Sequence, residues 1–151
     1  MTPLFTKLNL APDTIVHILN APPFFEHEVA ALKGAKVVRA IKGKVSFAIA
    51  FVMTQTDLDR MSSDLIRAAE GDAVLWLAYP KVSSKKYRCE FNRDSGWSVL
   101  GRGGYEPVRQ VAIDDDWSAL RFRKAEYIKS ITRDPGGAIS QAGKRRARAT
   151  R

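Results

Sequence analysis

The sequence predicts an α/β protein, a three-layer sandwich built on one mostly parallel, six-stranded sheet. Three observations predict it. Short runs of β-branched and apolar residues alternate with segments of helical periodicity, the pattern that right-handed βαβ crossovers leave in a sequence. The strongest runs, at 14–19, 45–53 and 73–79, are apolar at nearly every position, which suits strands buried on both faces. The chain has 151 residues, 45% hydrophobic and 27% charged, enough for one compact domain with its own core.

The elements follow in order β-α-β-β-α-β-α-β-β, after an opening helical turn or two over Leu4 to Leu10 that Pro12 stops. Thr14 to Leu19 reads as the first strand. It runs into Asn20-Ala21-Pro22-Pro23, a turn with proline set near the first position of a helix. Phe25, Val29 and Leu32 then recur at helical spacing, and Gly34 ends the segment. Lys36 to Ile41 is a shorter, more polar second strand broken by Gly43, and Val45 to Met53 is the third. Thr56 with Asp59 resembles a capping box with a shorter acid, opening a helix whose apolar face holds Leu58, Met61, Leu65 and Ala68. Gly71 is expected to cap that helix in a left-handed conformation, and Ala73 to Tyr79 is the fourth strand, ended by Pro80. After a polar loop over Ser83 to Lys86, Asn92 or Asp94 is expected to cap a third helix reaching Leu100, although Gly96 weakens it by about 1 kcal/mol relative to alanine. Gly101, Gly103 and Gly104 finish it. Val108 to Ile113 and Trp117 to Arg123 form the last two strands, joined by three aspartates in a tight reversal.

Charge is unevenly placed. Of the net +9, residues 131–151 carry six basic residues against Asp134 alone, leaving 19 basic and 15 acidic residues for 1–130. The expected organisation is one α/β domain over 1–130 and a basic, disordered tail over 131–151, too poor in large apolar side chains to offset its ordering entropy. Within the tail, Lys144, Arg145, Arg146 and Arg148 form a cluster able to release counterions from nucleic-acid phosphates, or else a solubilising extension. The longest apolar run, Val45 to Met53, is far short of the ~20 residues of a spanning helix, so no membrane partner is expected. The first twenty residues lack a secretory pattern and Cys89 is the one cysteine, which together imply a reducing, cytoplasmic setting.

One set of residues carries a resemblance. Asn20-Ala21-Pro22 ends the first strand. Gly71-Asp72-Ala73-Val74-Leu75-Trp76 leads to Tyr79-Pro80-Lys81. Asn92-Arg93-Asp94, Ile113-Asp114 and Trp117-Ser118-Ala119-Leu120-Arg121-Phe122 complete the set. Together they resemble a family of small bacterial proteins of unknown function, over roughly residues 4–124. That family resembles a reduced class I methyltransferase, a Rossmann-like fold whose last strand inserts antiparallel beside its predecessor. The resemblance implies strand order 2-1-3-4-6-5. A central last strand agrees with Trp117 and Ala119 on one face and Leu120 and Phe122 on the other.

The cofactor chemistry of that fold needs a glycine-rich turn after the first strand and an acid at the end of the second. Here the turn is Asn20 to Phe24, with no glycine and two prolines, and the second strand is followed by Lys42-Gly43-Lys44. No cofactor is expected, and S-adenosylmethionine is not expected to bind in the usual mode. Ligands of open α/β sheets bind at the carboxyl ends of the strands. That edge should gather Asn20, Ala21, Pro22, Tyr79, Lys81, Ser83, Ser84, Asn92 and Arg93 as a site for a small anionic ligand, with the amino end of the third helix facing it. The competing structural reading makes 81–86 a solvated loop and Asn92-Arg93-Asp94 a local cap and ion pair. The functional expectation is a non-catalytic or degenerate methyltransferase-like binding module for a small anionic ligand or a protein partner. The alternatives are an active S-adenosylmethionine-dependent transferase with a divergent turn, and a nucleic-acid accessory protein acting through its tail. Asp114 to Asp116 reads as a turn rather than a metal site, and no metal is expected. His17 reads as a hydrogen-bonded core histidine, His27 as exposed, and Cys89 as a buried thiol.

A chain ending at Ser130 is expected to keep its cooperative melt and melting temperature, since residues beyond 131 lack apolar periodicity. Loss of cooperativity on thermal unfolding would show that the tail packs on the domain.

Overall fold

The computed structural model describes residues 3–128; the tail over 131–151 lies outside them. Among the described residues one six-stranded sheet has the order β2-β1-β3-β4-β6-β5. Its strands are β1 (Val16–Leu19), β2 (Val37–Val38), β3 (Val45–Phe51), β4 (Ala69–Pro80), β5 (Tyr105–Ala112) and β6 (Trp117–Lys124). The first four are mutually parallel, and β6 runs antiparallel between β4 and β5. The helices are α1 (Pro3–Lys7), α2 (Glu26–Ala30), α3 (Gln55–Ala68) and α4 (Ser98–Arg102), and a 3-10 turn over Pro23–Phe25 leads into α2.

Alternation of side chains along the strands divides the core in two. One face gathers Phe5 and Leu8 from the amino-terminal segment, Phe25 and Val29 from the α2 region, and Val16, Ile18, Phe47, Ile49, Phe51, Trp76, Trp117 and Ala119 from the sheet. The other gathers Leu58 and Leu65 of α3, Leu100 of α4, and Leu19, Ala48, Ala50, Leu75, Leu77, Tyr79, Leu120 and Phe122. The faces of β6 are therefore those its alternation predicts. The Trp76 indole donates to the Leu8 carbonyl at 2.8 Å, which ties the amino-terminal segment to the middle of the sheet and satisfies a polar atom that burial would otherwise penalise.

Several boundaries differ from the sequence expectation. The long helix is capped by Thr54, whose hydroxyl accepts from the Asp57 amide at 3.1 Å, and not by Thr56. That helix ends at Ala68 and β4 begins at once, so Gly71 (φ +57°) serves no helix cap. It lies in the stretch where the pairing of β3 with β4 jumps from Val45–Ala69 to Phe47–Val74. β2 keeps two residues of the six expected. The third helix starts at Ser98 after Trp97, with no side-chain cap. Asn92 instead closes a turn, accepting from the Asp94 amide at 2.8 Å. Gly96 is part of that approach, not a defect within a helix. Its φ is +99°, and a Cβ there would stand 2.6 Å from the Phe91 Cβ.

Thr54→Ala is expected to lower stability by about 1 kcal/mol in chemical denaturation, the usual effect of losing such a cap. Thr56→Ala should be nearly silent, and the reverse ranking would return the cap to Thr56.

Candidate functional site

The chain leaves β1 in one direction to β2 and returns on the other side to β3, so the switch point lies between the carboxyl ends of β1 and β3. Crevices at such points are where open α/β sheets hold ligands. Here the crevice is bridged. Asn20 adopts φ +58°, a left-handed conformation that asparagine tolerates better than most residues, and its side-chain amide donates to the Phe51 carbonyl at 2.9 Å. Pro22 and Pro23 follow with no N–H to offer, and the rings of Phe24 and Phe25 continue the packing. The Phe25 and Phe51 ring centres are 4.7 Å apart, and those of Phe24 and Trp117 are 6.3 Å apart.

The ends of β3 and β4 are covered by the segment between Lys81 and Phe91. The Lys81 amide donates to the Asp116 carbonyl at 2.7 Å and the Glu90 amide to the Met53 carbonyl at 3.0 Å. The Glu90 carboxylate accepts from the Gln55 amide at 2.8 Å. Ser84 donates to the Asp116 carboxylate at 2.8 Å and accepts from the Tyr87 amide. Asp114 accepts from the amides of Asp116 and Trp117, so the aspartate run builds the β5–β6 turn.

The nine candidate residues are divided among these structures. Ser84 belongs to the covering segment, and Ser83 and Lys81 flank it. Asn92 closes its own turn. The Arg93 guanidinium donates to Gln110 on β5 at 2.8 Å and to Asp94 at 3.2 Å, and Gln110 in turn donates to the Tyr79 hydroxyl at 3.1 Å. Arg93 thus makes the local pair of the structural reading, plus a link to β5. The helix end expected to face the edge starts at Ser98 and is only five residues long. Burial, opposed by nearby Arg93, pushes the Tyr79 hydroxyl above its ordinary pKa; that phenol is a packing and hydrogen-bonding group at neutral pH.

Of the candidates, Asn20 lines a pocket at this edge. The pocket measures about 410 Å³ and is bounded by Leu19, Asn20, Arg39, Ile41, Arg60 and Asp64, with Ala40 and Met61 between them. Arg39, the residue after β2, forms a two-pronged pair with Glu26 at 2.7 and 2.6 Å. That hydrogen-bonded pair holds the Glu26 carboxyl below the usual range and the Arg39 guanidinium above it. Arg60 makes a single contact to Asp57 at 3.3 Å, and Asp64 pairs with Arg67. Sequence reasoning missed Arg39 and Arg60. Arg39 was counted inside a strand that stops before it, and Arg60 lies on the polar side of a helix read only for its apolar face. His17 is buried as expected, but neither ring nitrogen has a hydrogen-bond partner among the described residues. Its strand neighbours offer apolar surface where the expectation assumed an acceptor. Among the described residues no cluster of metal-ligating side chains occurs, and no helix is long and apolar enough to cross a membrane.

Solved structures of S-adenosylmethionine-dependent methyltransferases share this fold. A SAM-dependent methyltransferase from Aquifex aeolicus matches at 12% identity and a TM-score of 0.54, over 80% of this chain and 87% of that one. The magnesium protoporphyrin IX methyltransferase of Synechocystis PCC 6803, solved with bound SAM, matches at 13% identity and a TM-score of 0.52, over 80% of this chain and 74% of that one. The pyocyanin biosynthetic protein PhzM matches at 10% identity and a TM-score of 0.49, over 77% of this chain; the chain spans 52% of PhzM's length. At identities this low, the Aquifex and Synechocystis matches establish the α/β methyltransferase-like fold alone. No family model matches the chain, and no curated protein matches it by sequence.

Cys89 lies beside this edge, and burial pushes its thiol above the ordinary range, with a backbone hydrogen bond near Phe91 opposing in part. Alkylation by iodoacetamide is therefore expected to be slow at neutral pH and to rise only above the pH at which free cysteine reacts. A rate profile with its midpoint below that of free cysteine would mark Cys89 as an activated thiolate.

Proposed function

We propose that this chain is a methyltransferase-like binding module that takes a small anionic ligand at the carboxyl edge of its sheet and transfers no methyl group. The observation that carries this reading is the hydrogen bond from Asn20 to the Phe51 carbonyl. It ties together the two strand ends between which a cofactor crevice would open. The turn that follows has no glycine to let a ligand approach the backbone, and two of its residues have no N–H. The second strand is followed by Arg39, where a carboxylate would be needed for ribose hydroxyls. These residues do not fit S-adenosylmethionine held in the manner of that fold.

What the edge offers instead supports an anion. Arg39 and Arg60 line one pocket over an apolar floor of Leu19, Ile41 and Met61. Arg60 uses one of its five N–H donors on Asp57 and keeps the rest available. A phosphate or carboxylate on a small organic body would meet guanidinium donors and apolar contacts together. The lysines at 81, 85 and 86 strengthen the positive field of the same edge.

Titration calorimetry with S-adenosylmethionine is expected to give no heat, and a micromolar Kd would overturn the reading. In thermal melts with nucleoside monophosphates or inorganic phosphate, an anion that binds will stabilise the protein by about 2.7 kcal/mol at ~100 times its Kd. Arg60→Gln should abolish that shift and leave the unliganded melt nearly unchanged, because the side chain is exposed.

A further inference from the structure

We propose that the outer part of the sheet carries a second anion site, on β5 and β6, that takes the phosphodiester backbone of a nucleic acid. In the register of the two strands Arg109 stands directly opposite Arg121. Arg123 lies two residues further along β6, and so on the same side. Like charges directly opposed across a strand pair are destabilising, and carboxylates relieve this arrangement only in part. Arg123 is neutralised by Asp72, which accepts from its Nε at 2.9 Å and from its Nη2 at 2.5 Å. Glu106 stands opposite Arg123 and is fully buried. Arg109 and Arg121 form no ion pair among the described residues.

Arg121 is also half-buried, and its Nε is enclosed without a hydrogen-bond partner among the described residues. Burial first, then the neighbouring Arg123 and Arg109, pulls its pKa below the ordinary arginine value against the attraction of Asp72. The fold therefore holds a repelling, partly dehydrated pair of guanidiniums, and a phosphate oxyanion supplies the acceptor and the charge that both lack.

The pattern favours a polynucleotide over other polyanions. The planar guanidinium forks of Arg109 and Arg121, more weakly hydrated than an ammonium, suit the phosphates of a nucleic acid. The sequence beyond β6 adds six basic residues over 131–151, further charge of the sign that a polyanion attracts. A lipid surface would call for apolar anchors beside the charges, and the large exposed apolar residues, Ile15, Met53, Val82 and Tyr127, all lie outside β5 and β6.

The test is fluorescence anisotropy of a labelled single-stranded oligonucleotide with the full chain across a salt series. Arg109→Gln and Arg121→Gln are each expected to weaken binding several-fold and to reduce the slope of log K against log salt by about one. The double variant should melt no lower than the parent, since a repelling pair is removed. Replacing Lys144, Arg145, Arg146 and Arg148 together by glutamine should weaken binding but leave it responsive to Arg121→Gln. Arg109 is exposed, so Arg109→Gln does not endanger the fold, and an unchanged salt slope in that variant would overturn the site. Equal competition by polyglutamate, or tighter binding to anionic lipid vesicles than to the oligonucleotide, would overturn its assignment to nucleic acid.

Discussion

The left-handed backbone at Asn20 determines what the carboxyl edge of this sheet can be. A residue with φ +58° ends β1 abruptly, and the short amide that makes such a conformation tolerable then reaches across to the Phe51 carbonyl. From that point the chain can only turn outward, and Pro22 and Pro23 stiffen the turn. Phe24 and Phe25 are delivered into an aromatic cluster with Phe51 and Trp117. In a ligand-binding turn the backbone N–H groups face the crevice. Here the turn spends its geometry on packing, and the polar atoms at the crevice satisfy each other.

The covering segment over 81–91 follows from the same closure. Backbone groups at the ends of β3 and β4 need partners when they are covered. After β3 the Met53 carbonyl accepts from the Glu90 amide, and after β4 the Lys81 amide donates to the Asp116 carbonyl in the β5–β6 turn. The rings of Tyr87 and Phe91 pack on Trp117 and Tyr79 from opposite sides of the sheet. The segment therefore crosses the edge from one face to the other. Lys85 and Lys86 of the segment are exposed.

The sheet was legible in the sequence because buried parallel strands write themselves as unbroken apolar runs, as in Val45 to Phe51 and Ala73 to Tyr79. The inserted last strand was legible from Trp117 to Phe122, where both parities are apolar. What could not be read were elements held by tertiary contacts. The third helix is five residues long and is fixed by Trp97, whose indole donates to the carbonyls of Asn92 and Arg93, so the capping signals at Asn92 and Asp94 pointed to a turn. β2 is two residues long, and a short β-branched run gives no length cue. The candidate site fared in the same way. Asn20 stands out in the sequence because it ends a strand ahead of two prolines, whereas Arg39 and Arg60 carry no local signal. They become neighbours of Asn20 only through the packing of α3 and the shortness of β2.

That shortness has a further consequence. The crossovers from β1 to β2 and from β3 to β4 each contain a helix, but the chain returns from β2 to β3 through residues 39–44, a bent run with none. A six-residue strap covers less of a sheet face than a helix does. It packs Ile41 against the core and leaves two open volumes beside it, about 410 and 540 Å³, both lined by Ile41 and Asp64. Omitting the helix lets so short a chain complete a six-stranded sheet. It also leaves room next to Asn20 for something other than protein. The open volume at this edge thus comes from a missing layer above β1 and β2, not from a glycine turn opening below it. That displacement explains how the fold can keep the methyltransferase-like sheet while its walls are arginine, leucine and methionine in place of backbone amides and an acid.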